Sequence, residues 1–164
     1  APVPQPKIAD VTVSFGVGEN ANKRISGDFE YEVLLSLLRG KRPVLIDRGN
    51  GGEEAERVNA LVERLVEGTG SPGLLHVHDG AHASFASHIL QSKLYVGYDS
   101  AGQHVAAAGN VPLVSVFTGY VCERMFARWR PDNPAAQVIR VAEGEQSSAL
   151  ERTIHAISAA EAAE

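Results

Sequence analysis

Apolar residues along this 164-residue chain follow two alternating periodicities. Short runs rich in β-favouring side chains, VTVSF at 11–15, PVLID at 43–47, GLLHVH at 73–78, LYVGYD at 94–99, PLVSVF at 112–117 and QVIRVA at 137–142, read as buried strands. The segments between them follow helical spacing. In FEYEVLLSLLRG, Phe29, Val33, Leu34 and Leu37 share one face, Gly40 is the stop and Asp28 is the expected N-cap. EEAERVNALVERLVEG, residues 53–68, is an amphipathic helix with Glu53 and Glu54 in its first turn, where they complement the dipole. Further helices are expected from about Ala83 to Gln91, over Val105–Ala108 and over Ser147–Ala160, and YVCERMFARWRPDNP starts helical and ends as loop.

Strands alternating with helices along the whole length imply a parallel sheet with right-handed crossovers and helices on both faces. The expected fold is α/β, a Rossmann-like three-layer sandwich with a mainly parallel six-stranded sheet. Ligands of such sheets bind beyond the carboxyl ends of the strands, at the switch in strand order. That points to three loops: 16–27, 48–53 and 99–104.

Composition narrows the function classes. With 44% hydrophobic residues the chain suits a single domain with a full core. A net charge of −5, with both signs interspersed, is unlike the footprint of a nucleic-acid binder. The single cysteine, Cys122, excludes an internal disulfide and fits a reducing, cytoplasmic setting. No apolar run reaches bilayer length, and no signal-peptide pattern opens the chain. Pro2, Pro4 and Pro6 alternate at the start, so residues 1–7 read as a semi-rigid interdomain linker preceded by another domain, and residues 8–164 as the domain proper.

The chemistry concentrates in the unit from Leu94 to Gly119. A strand ends on Asp99, a short polar turn Ser100-Ala101-Gly102-Gln103 follows, and a small-residue helix runs to Gly109-Asn110. Free N–H groups and the positive end of that helix dipole favour an anion such as phosphate, provided the mouth between Ser100 and His104 is open and electropositive. Lys23 and Arg24, in the long polar loop GVGENANKRISG, read either as a solvated pair or as one amine reaching the same anion, and His104 either as a packing residue or as a further donor. The same loop carries GVGENA, which fits a dinucleotide fingerprint, with Asp47 as a ribose acceptor. The helical pattern begins only near Asp28, however, so the strand-to-helix context of that fingerprint is missing, and Gly16 and Gly18 read as residues letting the backbone approach a ligand. His76, His78, His82 and His88 cluster without metal-ligand spacing, so no metal is expected, and His76 and His78 read as cleft-lining or core-capping. No G-x-S-x-G elbow supports a serine hydrolase. In ERMFARWRP, Arg124 and Arg128 share a helical face beside Trp129, either as a surface helix or as an anion or sugar subsite.

The segment DSAGQHVAAAGNVP resembles the D-[TS]-G-P-x-H-x-A-x-A-x-G-x-P motif of the family 9 glycosyltransferases, which include the lipopolysaccharide heptosyltransferases. Asp99, Ser100, His104, Ala106, Ala108 and Pro112 match it. NKRISGDFEYEVLLSLL is similar to the segment bearing that family's donor-phosphate lysine, with Lys23 at the lysine, and Glu53 or Glu54 falls at a glutamate contacting the donor ribose. Ala101-Gly102 replaces the usual Gly-Pro, and Arg24-Ile25-Ser26 the usual aromatic-proline. The resemblance implies the C-terminal, donor-binding lobe of an inverting GT-B glycosyltransferase whose acceptor lobe carries the catalytic carboxylate. It implies diphosphate binding by Lys23 and by Ser100, Ala101, Gly102, Gln103 and His104, ribose or sugar contact by Glu53 or Glu54, and support from Gly16 and Asp99. Arg124 and Arg128 are added as supporting residues from their own spacing, since ERMFARWRP is richer in arginine than the family's corresponding loop. The expected partners are a nucleotide-sugar and, through the other lobe, an acceptor glycan or lipid-linked sugar, with no metal cofactor and a cytoplasmic site that in the full-length protein is peripheral to the inner membrane. Half of a nucleotide-sugar epimerase and a non-catalytic nucleotide-binding module are the competing readings.

Overall fold

The computed structural model describes residues 5–70, 72–120 and 122–163. Six strands, β1 (Val11–Ser14), β2 (Val44–Asp47), β3 (Leu75–His78), β4 (Leu94–Tyr98), β5 (Leu113–Phe117) and β6 (Ala136–Arg140), form one sheet in the order β3-β2-β1-β4-β5-β6. All five pairings are parallel. The helices between them are α1 (Phe29–Arg39), α2 (Gly52–Thr69), α3 (His82–Gln91), α4 (Ala101–Ala108), α5 (Glu123–Trp129) and α6 (Gln146–Ala162). The expected Rossmann-like three-layer sandwich is therefore present, with every strand parallel.

Period-two alternation in the strands feeds two cores. Val11, Val13, Val44, Ile46, Leu94, Val96 and Tyr98 meet α1, α2 and α6 on one face through Val33, Leu34, Leu65 and Ile157. On the other face Leu45, Tyr95 and Leu113 pack against Phe85 and Ile89 of α3 and Ala106 of α4. The central strands are buried on both faces because β1 lies between β2 and β4, with Val13 opposite both Ile46 and Val96.

Several local expectations change. The Ser100–Gln103 segment is no separate turn: α4 begins at Ala101, and Ser100 is its extended N-cap, with φ −157° and ψ 177°. Asp28 occupies the N-cap of α1 without capping it, because its carboxylate accepts a 2.7 Å hydrogen bond from Arg64 Nη1 of α2 instead. The linker expected over residues 1–7 lies outside the described residues for positions 1–4. Residues 5–7 have no regular structure, and the Gln5 carbonyl accepts a hydrogen bond from Gln91 Nε2 at 2.8 Å. Among the described residues no helix is long and apolar enough to cross a membrane.

Leu34 has no solvent exposure and sits at the centre of the larger core. Leu34→Ala is expected to lower unfolding stability by about 2–5 kcal/mol through lost burial and a residual cavity. Urea denaturation checks this, and a loss under about 1 kcal/mol means that the helix-sheet interface tolerates collapse there.

Candidate functional site

Strand order reverses between β1 and β4, so the chain leaves the two strands in opposite directions and opens a crevice above their carboxyl ends. An open cleft of about 820 Å³ occupies it. The loops expected from the sequence converge there: Gly16 to Arg24 after β1, Gly49 to Glu54 after β2, and Asp99 to Gly102 after β4 all contribute lining residues.

At the β4 end, Asp99 organises the floor. Its Oδ2 accepts from Lys23 Nζ at 2.9 Å and its Oδ1 from Gln103 Nε2 at 2.6 Å. Gln103, with no exposure, also donates to the Trp129 carbonyl at 3.2 Å and accepts from the Ser115 hydroxyl. One buried amide thus ties β4, β5 and α5 together, and its side chain is committed to the interior rather than to the cleft. Gly102 owes its identity to packing: a Cβ there would run into the ring of Tyr95, whose hydroxyl lies 3.3 Å from Ser100 Oγ. Burial pushes the Tyr95 phenol up to about 12, so it stays a neutral hydrogen-bonding group. Ser100, Ala101 and Gly102 line the cleft, which brings the first turn of α4, with its free amides, to the opening.

At the β2 end, Glu54 of α2 fills the space above two glycines. A Cβ on Gly16 or on Gly49 would collide with the Glu54 carboxyl group, and Gly49 also has φ +81°. Burial and the neighbouring Asp47 carboxylate raise the Glu54 pKa, while Arg24 opposes the rise. Asp47 itself lines the cleft and accepts from, or pairs with, His78 Nδ1 at 2.9 Å, and His78 Nε2 lies 3.0 Å from Ser84 Oγ. The histidine cluster therefore resolves into distinct roles. His78 is a buried brace for Asp47, His82 lines the cleft, and among the described residues no set of three ligating side chains is placed to hold a metal.

Of the residues singled out from the sequence, Gly16, Lys23, Glu53, Glu54, Asp99, Ser100, Ala101 and Gly102 meet in the cleft. The others do not. His104 is exposed on the flank of α4, its ring 6.0 Å from that of Trp129, and Gln103 is interior. Arg124 and Arg128 are exposed on α5 and lie outside the cleft lining, with the Arg128 guanidinium 5.3 Å from the Trp129 ring. Nor is the opening uniformly electropositive: Glu19, Asp47, Glu53, Glu54 and Asp99 face Lys23, Arg24 and Arg57. By sheet order the Lys23–Asp99 pair stands on the β4 side and Asp47 with Glu54 on the β2 side.

Arg57 was not anticipated. It reaches from α2 to donate through Nη2 to the Phe15 carbonyl at 2.7 Å, with Nε 3.7 Å from Glu30 Oε1. The available signal was helical spacing, since Glu54 and Arg57 are neighbours at i, i+3 on one face of α2. Behind the cleft, Glu30 accepts from the Tyr98 hydroxyl at 3.1 Å, and that hydroxyl accepts from the Ile25 amide at 3.1 Å, pinning the loop after β1 to the end of β4. Burial pushes the Glu30 carboxyl up to about 7, against the opposing effects of the Tyr98 hydrogen bond and the Arg24 charge.

The strand order, the crossovers and a cleft at the β1/β4 switch define the Rossmann-like class seen in one lobe of two-lobed glycosyltransferases. Solved structures sharing this fold include ADP-heptose lipopolysaccharide heptosyltransferase II of E. coli (TM-score 0.72, 19% identity, 92% of this chain and 45% of that one). They also include E. coli heptosyltransferase WaaC with ADP (0.70, 17%, 95% and 44%). A glycosyl transferase of family 9 from Veillonella parvula DSM 2008 is a third (0.72, 18%, 94% and 47%). At these identities the likeness is one of fold, and this chain spans under half the length of each. The chain matches no protein-family profile and no curated protein sequence. The resemblance to family 9 glycosyltransferases carried by Asp99–Pro112 thus extends to the fold of nearly the whole chain.

The Glu30 carboxyl gives a pH prediction. Its folded pKa of about 7 lies above the ordinary glutamate value of 4.5, so the native state binds more protons than the unfolded state between those limits. Its stabilising contribution is therefore complete below pH 4.5 and is lost as pH rises through 7. Relative to Glu30→Gln, the wild type should lose on the order of 2–3 kcal/mol across that window. Paired urea titrations at pH 4.5 and 8 measure it, and parallel wild-type and variant curves would mean Glu30 is not held neutral.

Proposed function

We propose that this chain is the donor-binding, C-terminal lobe of an inverting glycosyltransferase of the heptosyltransferase type. It holds a nucleotide-sugar in the cytoplasm while a second lobe presents an acceptor glycan or lipid-linked sugar. The observation carrying this reading is the convergence, at the β1/β4 switch, of the α4 first turn and Lys23 on one open cleft. Its support from outside is the shared fold with heptosyltransferases, one of them solved with ADP.

In this reading the diphosphate lies over the first turn of α4, where amides of residues 100–104 and the helix dipole meet its charge. Lys23 turns from Asp99 toward the phosphates, and Asp99 keeps Gln103 and the helix start in place. Glu54 or Glu53 takes hydroxyls of the ribose or sugar, with Asp47 braced beside it by His78. Chemistry follows from charge. The acceptor hydroxyl, deprotonated by a carboxylate of the other lobe, attacks the anomeric carbon, and the carbon–oxygen bond to the diphosphate breaks. The electron pair goes to the departing phosphate oxygen, and the α4 amides with Lys23 stabilise the charge that develops there. No metal ion enters this scheme.

Isothermal titration with ADP, UDP and GDP tests the reading. At least one should bind with a Kd below about 1 mM, and Lys23→Ala should weaken it about tenfold, roughly 1.4 kcal/mol. Absence of heat with all three diphosphates at millimolar concentration would sink the donor-lobe assignment.

A further inference from the structure

The donor reading leaves α5 unused, although it gathers basic and apolar side chains on one exposed surface. The chain carries a net charge of −5, yet Arg124, Arg128 and Arg130 fall within one turn-rich stretch beside the only tryptophan and the only methionine. The one acid of the helix, Glu123, is ion-paired to Arg140 of β6. Arg140 is further held by the Tyr120 hydroxyl, which accepts from its Nε at 2.7 Å, and by the Phe126 ring, 4.7 Å away. Phe126 anchors the helix inward, its ring 5.3 Å from Phe117 and 5.5 Å from Tyr120.

What remains outward is ordered by helical spacing. Arg124 and Arg128 form one i, i+4 pair, Met125 and Trp129 the adjacent one. Met125 is 41% and Trp129 44% exposed, and no residue of α5 is buried. A thioether and an indole left in water beside guanidinium groups are arranged as at a membrane interface: the apolar groups enter the acyl boundary, the indole sits at headgroup level and the arginines meet lipid phosphates. We propose that α5 is an interfacial docking element for an anionic lipid surface, with Arg124, Arg128 and Arg130 as phosphate contacts and Met125 and Trp129 as the inserting pair.

Charge complementarity selects this occupant. A basic patch on a protein of net charge −5 adheres to an anionic bilayer at one spot, with the bulk of the acidic chain held away from it. The patch also adjoins the cleft floor, because the Trp129 carbonyl accepts from the same Gln103 amide that donates to Asp99. A lobe docked through α5 therefore holds its cleft beside the bilayer.

Trp129 is an intrinsic reporter, being the only tryptophan. With vesicles containing phosphatidylglycerol, the chain is expected to co-sediment, its emission to shift to the blue, and both effects to fade as salt is raised from 50 to 500 mM, roughly as screening dictates. Phosphatidylcholine vesicles should leave the emission unshifted. Arg124→Glu/Arg128→Glu should cut partitioning about tenfold or more with an unchanged circular dichroism spectrum, and Met125→Ser should reduce the blue shift. Equal binding to neutral vesicles, full binding by the double variant, or an unmoved emission overturns the proposal. Binding to RNA or to an acidic protein without vesicle binding overturns it too. Nucleoside-diphosphate titration is separate, so failure here leaves the donor reading standing, and failure there leaves this one standing.

Discussion

Asp99 stands where the strand order reverses, and both of its oxygens are used to hold opposite walls of the crevice. One oxygen takes the ammonium of Lys23 from the loop after β1, the other the amide of Gln103 from α4. Without that double engagement the loop could swing away from the sheet and the start of α4 would lose its brace. The arrangement persists because Gln103 is fully satisfied: its remaining groups meet Ser115 and the Trp129 carbonyl, leaving no buried polar atom of the amide idle. A buried amide with three partners specifies one geometry where an apolar side chain would permit several.

The same loop is fastened a second time through Tyr98. Its hydroxyl links the Ile25 amide to Glu30, and Arg57 grips the carbonyl at the end of β1. Holding a polar loop over a hydrophobic sheet requires such side-chain contacts, since the loop has no ladder of its own. The cost shows in Glu30, a carboxyl desolvated enough to keep its proton near neutrality. Opposite it, the Glu54 carboxyl occupies the space beside Gly16 and Gly49 that a side chain there would need. The crevice therefore mixes charge along its length, with the Lys23–Asp99 pair and helix amides toward β4, and Asp47 and Glu54 with Arg24 acting on them toward β2.

Binary patterning determined much of this molecule on its own. Six short apolar runs and intervening amphipathic segments leave few alternatives to a parallel sheet covered on both sides, because such strands bury both faces and only helices can cover them. The rule that parallel sheets bind ligands beyond their strand ends pointed to the crevice, and Lys23, Gly16, Asp99 and the residues opening α4 were singled out from the loops it named. Tertiary structure alone decided which polar side chains face that crevice. Helical spacing put Gln103 and His104 beside Ser100, but packing against Ser115 drew one inward and left the other against Trp129. Arg57 and the Asp47–His78 pair became visible only with α2 and β3 in place, since their partners lie 42 and 31 residues away in sequence. Local pattern reports the face a residue occupies within its own element, whereas a long-range hydrogen bond depends on where another element comes to rest, and only packing of the whole chain supplies that.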